Sequence, residues 1–159
     1  MTAPNFNPIF TLTPHVGRCA IPQATAVPAS DGASSGSAAL IMYCAFKPGS
    51  QGSYVSRLRF LPTATTVGLS STATVLRVFL SSVTTTEGAA AGATTLANTH
   101  LIAEVAAPIV VCGSATAAIT PFDVQLGFVM AATDQILVTQ HTAMVAAVIW
   151  KCLVFGGDY

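Results

Sequence analysis

Charge is what this sequence has least of. Only 8% of its 159 residues are Asp, Glu, Lys or Arg, against about 25% in an average globular domain, and the six acidic and six basic side chains cancel to a formal net charge of zero. No cluster of Lys and Arg is dense enough to neutralise a run of phosphates, so nucleic acid is not an expected partner. Also missing is the run of about 20 apolar residues that a membrane-spanning helix needs. The most apolar stretch, Ala143 to Phe155, contains Lys151 and runs into Gly156-Gly157-Asp158, and Leu101 to Cys112 is interrupted by Glu104 and Pro108. The opening MTAPNFNPIF has no basic segment ahead of an apolar one, so a secretory signal is not expected and the chain reads as made in the cytosol and soluble there, with no membrane partner.

The motifs of common chemistries are missing too. The four cysteines, Cys19, Cys44, Cys112 and Cys152, form no C-x-x-C pair and have no His at a metal-ligand spacing, which excludes the usual zinc patterns. They read as small buried hydrophobes, the alternative being that some pair joins under oxidising conditions. His15, His100 and His141 lie far apart, and Asp31, Glu87, Glu104, Asp123, Asp134 and Asp158 are spread one per segment. Nothing in that spacing prepares a carboxylate pair for acid–base work. There is no G-x-S-x-G elbow, since Gly113-Ser114 lacks the second glycine, and no Walker A or G-x-G-x-x-G loop. Neither an enzyme nor a bound cofactor or metal is expected.

What is present is a core-forming composition. Hydrophobic residues make up 52% and mean hydropathy is +0.66, which disfavours disorder, and the length suits one domain. A soluble domain so poor in charge tends to self-associate. That points to a surface covered by partner subunits, the alternative being a neutral monomer with a Ser- and Thr-rich skin.

Short runs rich in Val, Ile, Thr and Phe alternate with Gly, Ser and Pro clusters, the pattern of strands. Residues 1–14, with Pro4, Asn5, Asn7 and Pro8 ahead of Ile9 to Thr13, read as an extended N-terminal arm, and residues 15–159 as one domain. After a loop from Gln23 to Gly36, Ala39 to Phe46 and Tyr54 to Leu61 read as a hairpin about Lys47 to Gly52. In its second strand Val55, Arg57, Arg59 and Leu61 share one face, Ser56, Leu58 and Phe60 the other. Thr74 to Ser81 places Thr74, Leu76, Val78 and Leu80 opposite Val75, Arg77 and Phe79. The stretch TTTEGAAAGATTLANT from Thr84 to Thr99 offers little to bury and reads as a loop or one short helix over Ala89 to Ala97, weakened by Gly92. Leu101 to Val105 and Ile109 to Cys112 flank Pro108. Phe122 to Met130 alternates strictly, and Ile136 to His141 and Val145 to Phe155 follow. Eight or nine strands at this spacing predict an all-β, antiparallel sandwich, jelly-roll-like.

Several side chains stand out as candidate contacts. Phe6, Ile9 and Phe10 lie on an arm with little local core to enter, so a neighbouring subunit is their natural cover. Arg57 and Arg59 project together, either to meet an acidic partner or as a solvated face. Trp150 reads as core or as an interface anchor. Tyr43, Tyr54, Tyr159 and Trp150 are the aromatics that a sugar-binding platform would use.

In their order along the chain, three segments resemble small virion structural proteins of tailed bacteriophages and prophages. They are Asn7-Pro8-Ile9-Phe10-Thr11-Leu12-Thr13-Pro14-His15-Val16-Gly17, then Gly52-Ser53-Tyr54-Val55-Ser56-Arg57-Leu58-Arg59-Phe60 followed by Thr74-Val75-Leu76-Arg77-Val78-Phe79-Leu80, and the closing Phe155-Gly156-Gly157-Asp158-Tyr159. In such proteins a G-S-x-I-x-R-I-R-I strand precedes a V-R-L-F-I strand and the chain ends in F-G-G-D-F/Y. They are similar in size and character to capsid decoration, or cement, proteins, which are non-enzymatic β-sandwiches, often trimers. The resemblance implies a place on the outside of the capsid, with the major capsid protein and other copies of this chain as partners, and Tyr159 joins the candidate contacts. Other virion roles, a head-fibre base or tail component, and a host-glycan-binding sandwich are the alternatives. The alanine-rich Glu87 to Ala97 insert and the four cysteines depart from the pattern.

Overall fold

The computed structural model describes residues 13–27, 30–33, 41–92, 94–113, 118–145 and 147–159. Among them the chain forms eight strands: β1 (Thr13–Ile21), β2 (Tyr43–Phe46), β3 (Ser53–Ala64), β4 (Thr74–Ser81), β5 (Thr99–Ala107), β6 (Phe122–Met130), β7 (Gln135–Gln140) and β8 (Val148–Asp158). Among the described residues there is no helix, so none is long and apolar enough to cross a membrane. The strands assemble into two four-stranded sheets, ordered β1-β8-β3-β6 and β2-β7-β4-β5, with every pairing antiparallel. The chain is thus the all-β antiparallel sandwich that the alternation predicts.

Consecutive strands change sheet at every step except β4 to β5. This overturns the expected hairpin about Lys47 to Gly52, because β2 pairs with β7 in the second sheet and β3 with β8 and β6 in the first. The Pro and Gly there do reverse the chain, but four residues of β2 cannot satisfy the backbone of a twelve-residue β3, whereas the long β8 can. Thr13 and Pro14, expected at the end of the arm, instead pair with Asp158 and Gly157 as the start of β1. Residues 1–12, with Phe6, Ile9 and Phe10, lie outside the described residues. Ile109 to Cys112 forms no strand, only a bridge from Val111 to Ser70.

The main core lies between the sheets. Phe46, Leu58, Phe60, Leu76, Ile136, Val138, Trp150 and Val154 are all fully buried there, each large side chain contributing about 1.5–3 kcal/mol of transfer free energy. Val55 belongs to this inner set, not to the face of Arg57 and Arg59. Ser56 is an extra residue on β3 relative to β8, where Val55 faces Gly156 and Arg57 faces Phe155. Such a bulge shifts the alternation by one.

A second apolar cluster, Val27, Met42, Cys44, Phe79, Ala91 and Leu137, packs on the other side of the second sheet. Central β7 is therefore buried at every position, as a strand covered on both faces must be. The low-complexity stretch supplies part of that cover without forming the helix weighed above. Gly88 donates to Cys44 O (2.8 Å), Cys44 to Ala89 O (3.0 Å) and Ala91 to Met42 O (2.8 Å), so this segment shields the free edge of β2. Arg77, on the same side, donates to Glu104 (2.6 Å) and to Val27 O (2.9 Å), which satisfies a guanidinium that is nearly buried.

Near Phe46 the two sheets approach closely. His15 packs against its ring at a centroid distance of 4.4 Å, and two glycines of the first sheet leave room for it. A β-carbon at Gly17 would overlap the carbonyl oxygen of Ala45 and crowd the Phe46 ring, whereas at Gly92 it would meet nothing. Gly17→Ala is therefore expected to lower unfolding free energy by about 1–3 kcal/mol and Gly92→Ala to change it by less than about 1 kcal/mol. Urea denaturation of the two variants checks this, and equal effects would contradict the close approach.

Candidate functional site

The outward face of the first sheet collects most of the molecule's positive charge. Reading across paired strands gives four rows: Ala20, Lys151 and Leu61; Arg18, Leu153, Arg59 and Asp123; Val16, Phe155, Arg57 and Gln125; Pro14, Gly157, Tyr54 and Val129. Arg18, Arg57, Arg59 and Lys151 are four of the six basic residues in the chain, and Asp123 is the one carboxylate in these rows. Exposed apolar groups lie between the charges, among them Val16 (40% exposed), Tyr54 (38%), Leu153 (37%) and Val129 (60%).

The charges differ in how they are held. Arg59 forks onto Asp123 through Nε (2.7 Å) and Nη2 (2.8 Å), and Arg57 lies 4.0 Å from the same carboxylate. The Arg59 hydrogen bonds, against an opposing effect of burial and with help from the nearby charges of Arg59 and Arg57, hold the Asp123 carboxyl below the usual carboxylate range. Arg57 also stacks on the Phe155 ring, 4.6 Å from its centroid, which fixes both side chains on the surface. Arg18 and Lys151 have no ion-pair partner among the described residues. With Arg59 they ring a shallow recess of about 300 Å³ whose floor includes Ala20, Leu61 and Leu153.

Of the residues singled out in the sequence, this face brings Arg57 and Arg59 together and leaves the others apart. Trp150 is fully enclosed between the sheets, edge-on to Phe122 with ring centroids 5.7 Å apart, which removes it from any surface of the folded protomer and corrects its candidacy as an interface anchor. Tyr159 is half-buried beside the start of β3, its amide donating to Gly52 O (3.2 Å). Arg18, Lys151, Leu153 and Phe155 were not singled out. The alternation of Lys151, Leu153 and Phe155 against Trp150, Cys152 and Val154 carried that signal, but Arg18 lies on a strand hidden by Pro14 and Gly17.

A second polar cluster joins both sheets near Phe46. His15 places Nδ1 3.1 Å from Asp158 and Nε2 3.0 Å from Glu87, an arrangement that an imidazole donates to on both sides only when protonated. Asp158 accepts from the Ser53 hydroxyl and from the Gly49 amide (3.2 Å), and Glu87 accepts from the Lys47 amide (2.9 Å). The order is Ser, Asp, His: the Ser53 hydroxyl donates to Asp158 and not to the imidazole. The two carboxylates approach the ring from opposite nitrogens, and no group of three His, Cys, Asp or Glu side chains placed to hold a metal ion occurs among the described residues.

Comparison of the chain with models of protein families, with curated proteins and with solved structures finds no match.

Burial alone would raise the Asp158 carboxyl, but hydrogen bonds from Ser53, His15 and Gly49, with the His15 charge, outweigh it and hold the pKa below its ordinary 3.8. A depressed folded-state pKa stabilises the fold above the unfolded value, and that contribution is lost as pH falls through the folded one. Asp158→Asn is therefore expected to cost about 1–2 kcal/mol at neutral pH, the gap from the parent protein closing progressively below pH 3.8. Urea midpoints across a pH series test it, and a gap independent of pH would refute it.

Proposed function

We propose that this chain is a non-enzymatic decoration, or cement, protein of a tailed-bacteriophage capsid. It binds the outside of the head through the outward face of the β1-β8-β3-β6 sheet and braces contacts between major capsid subunits. The observation that carries the reading is that face itself. In a chain with almost no charge, four of six cations sit among exposed apolar side chains on one sheet, and two of them have no acidic partner among the described residues. Such a face suits a partner that presents carboxylates around an apolar centre.

The phage-like segments support the same assignment. The G-S-x-V-x-R-L-R-F run is β3 and the F-G-G-D-Y run ends β8, and these strands are neighbours. Their Arg57, Arg59 and Phe155 lie side by side on the proposed contact face, while Gly156 makes room for the Phe46 ring. We read the winding, in which consecutive strands cross between two four-stranded sheets, as a jelly roll, an architecture common in capsid proteins. That is fold-level analogy and carries less weight than the surface.

The mechanism is physical. Apolar area removed from water at each contact is worth roughly 25 cal/mol per Å² before association costs, and a trimer that touches several capsid subunits multiplies modest contacts by avidity. Residues 1–12, which carry Phe6, Ile9 and Phe10, are assigned in this proposal to contact with a neighbouring subunit. The protein is made in the host bacterial cytoplasm and resides on the virion. The host-glycan alternative loses its largest aromatic platform with Trp150 enclosed in the core. A head-fibre or tail role remains distinguishable by copy number.

The test is binding of purified protein to expanded heads, with mass by light scattering alongside. A concentration-independent trimer that adds in hundreds of copies is expected, and the double variant Arg18→Glu, Lys151→Glu is expected to stay folded and bind roughly 10- to 100-fold more weakly. Unchanged binding by that variant would overturn the assignment of the face, and a few copies per particle would overturn the decoration role. Deletion of residues 1–12 is expected to leave a folded domain that no longer binds heads.

A further inference from the structure

Cys19 and Cys152 face each other across the β1–β8 ladder, in direct register. Both belong to the main core cluster. Directly opposed residues of an antiparallel pair have Cα atoms about 4.5–5.5 Å apart, inside the span of roughly 4.4–6.8 Å that a disulfide bridges. Neighbours in register bring the thiols together without moving either strand. The other two cysteines are placed differently. Cys44 donates to Phe46 O (3.6 Å) in the cluster behind the second sheet, and burial, with the Glu87 charge, pushes its thiol up to about 12. Cys112 lies outside the strands, and its thiol donates to Val110 O (3.8 Å).

We propose that Cys19 and Cys152 are a modification site, a dithiol that a small-molecule disulfide such as oxidised glutathione converts into a cross-link between β1 and β8. Cys19 is the more accessible, 7% exposed against 1%, and it attacks first. Its thiolate breaks the sulfur–sulfur bond of the oxidant, forms a mixed disulfide and releases one glutathione thiol. Cys152 then attacks the Cys19 sulfur, the mixed disulfide breaks, and the second glutathione thiol leaves with the proton from Cys152. Two protein thiols are oxidised and one external disulfide is reduced to two thiols. Burial pushes the Cys152 thiol well up, an effect that its hydrogen bond with Cys19 reinforces, so closure is fastest while β1 is still docking.

The cross-link matters because β1 is an edge strand, paired among the described residues only with β8, and residues 1–12 lead into it. A bond at mid-strand fixes that edge against fraying and encloses most of the chain in one loop, the case in which a cross-link restricts the unfolded state most. The inference does not depend on the proposed capsid role.

The experiment refolds the reduced full chain from urea with oxidised glutathione, alkylates the remaining thiols and reads intact mass and peptide map. The expected product has lost two hydrogens, keeps alkylatable thiols at Cys44 and Cys112, and yields a peptide linked through Cys19 and Cys152. Cys152→Ser is expected to trap a glutathione adduct on Cys19, and Cys44→Ser to leave the link intact. Closure is expected to raise Tm by roughly 5 to 10 °C, reversed by dithiothreitol. Four alkylatable thiols after refolding, or a link through Cys44 or Cys112, overturns the proposal, and an unchanged Tm in the linked protein overturns the bracing role.

Discussion

Strand β8 runs between β1 and β3 and pairs with both over nearly its whole length, so β1 joins the β3–β6 pair only through this late segment, inserted between two early ones. The insertion is held at one end by Asp158, which gathers the Ser53 hydroxyl, the Gly49 amide and His15. It is held through the middle by inward Trp150, Cys152 and Val154. Because side chains alternate, the residues between these inward groups must face out. Lys151, Leu153 and Phe155 are thus displayed by the same register that packs the core.

Scarcity of charge follows from how much of the second sheet is covered. Its inner face meets the first sheet, and its outer face lies under the segments around Val27 and Ala91. Two-sided burial leaves few positions where an ion is free, and Arg77 is tolerated there because Glu104 and the Val27 carbonyl satisfy it. Cations concentrate instead on the outward face of the first sheet, where they extend over apolar neighbours and keep their charged ends in water. The resulting surface is uneven in charge although the chain is neutral, and a neutral composition hides such a surface from any whole-chain count.

Much of the fold was legible because strand alternation is local. Phe122 to Met130 reads as a half-buried strand and is one, and Arg57 with Arg59 reads as a shared face and forms one. The misreadings arise where a distant partner decides. Lys47 to Gly52 carries the chemistry of a tight reversal, which says that the chain turns and nothing about which sheet receives it. The phase of Val55 depends on a bulge at Ser56 that is defined only against β8. β1 escaped because Pro14 and Gly17 are poor strand formers by propensity, yet Gly17 is required where β1 passes the Ala45 carbonyl. Of the site, the arginines of β3 were visible and Arg18 and Lys151 were not, since nothing local joins residues so far apart in sequence. Whether β1 and β8 are adjacent is a question of topology.

That adjacency has a consequence for synthesis. A ribosome delivers β1 long before residues 148–158, and among the described residues β1 has no other strand beside it. Until β8 emerges, β3 can pair with β6, but β1 has no described strand of its own sheet to join. Completion of the first sheet therefore waits for β8, and a neighbouring copy whose β8 has already emerged offers β1 the strand it lacks.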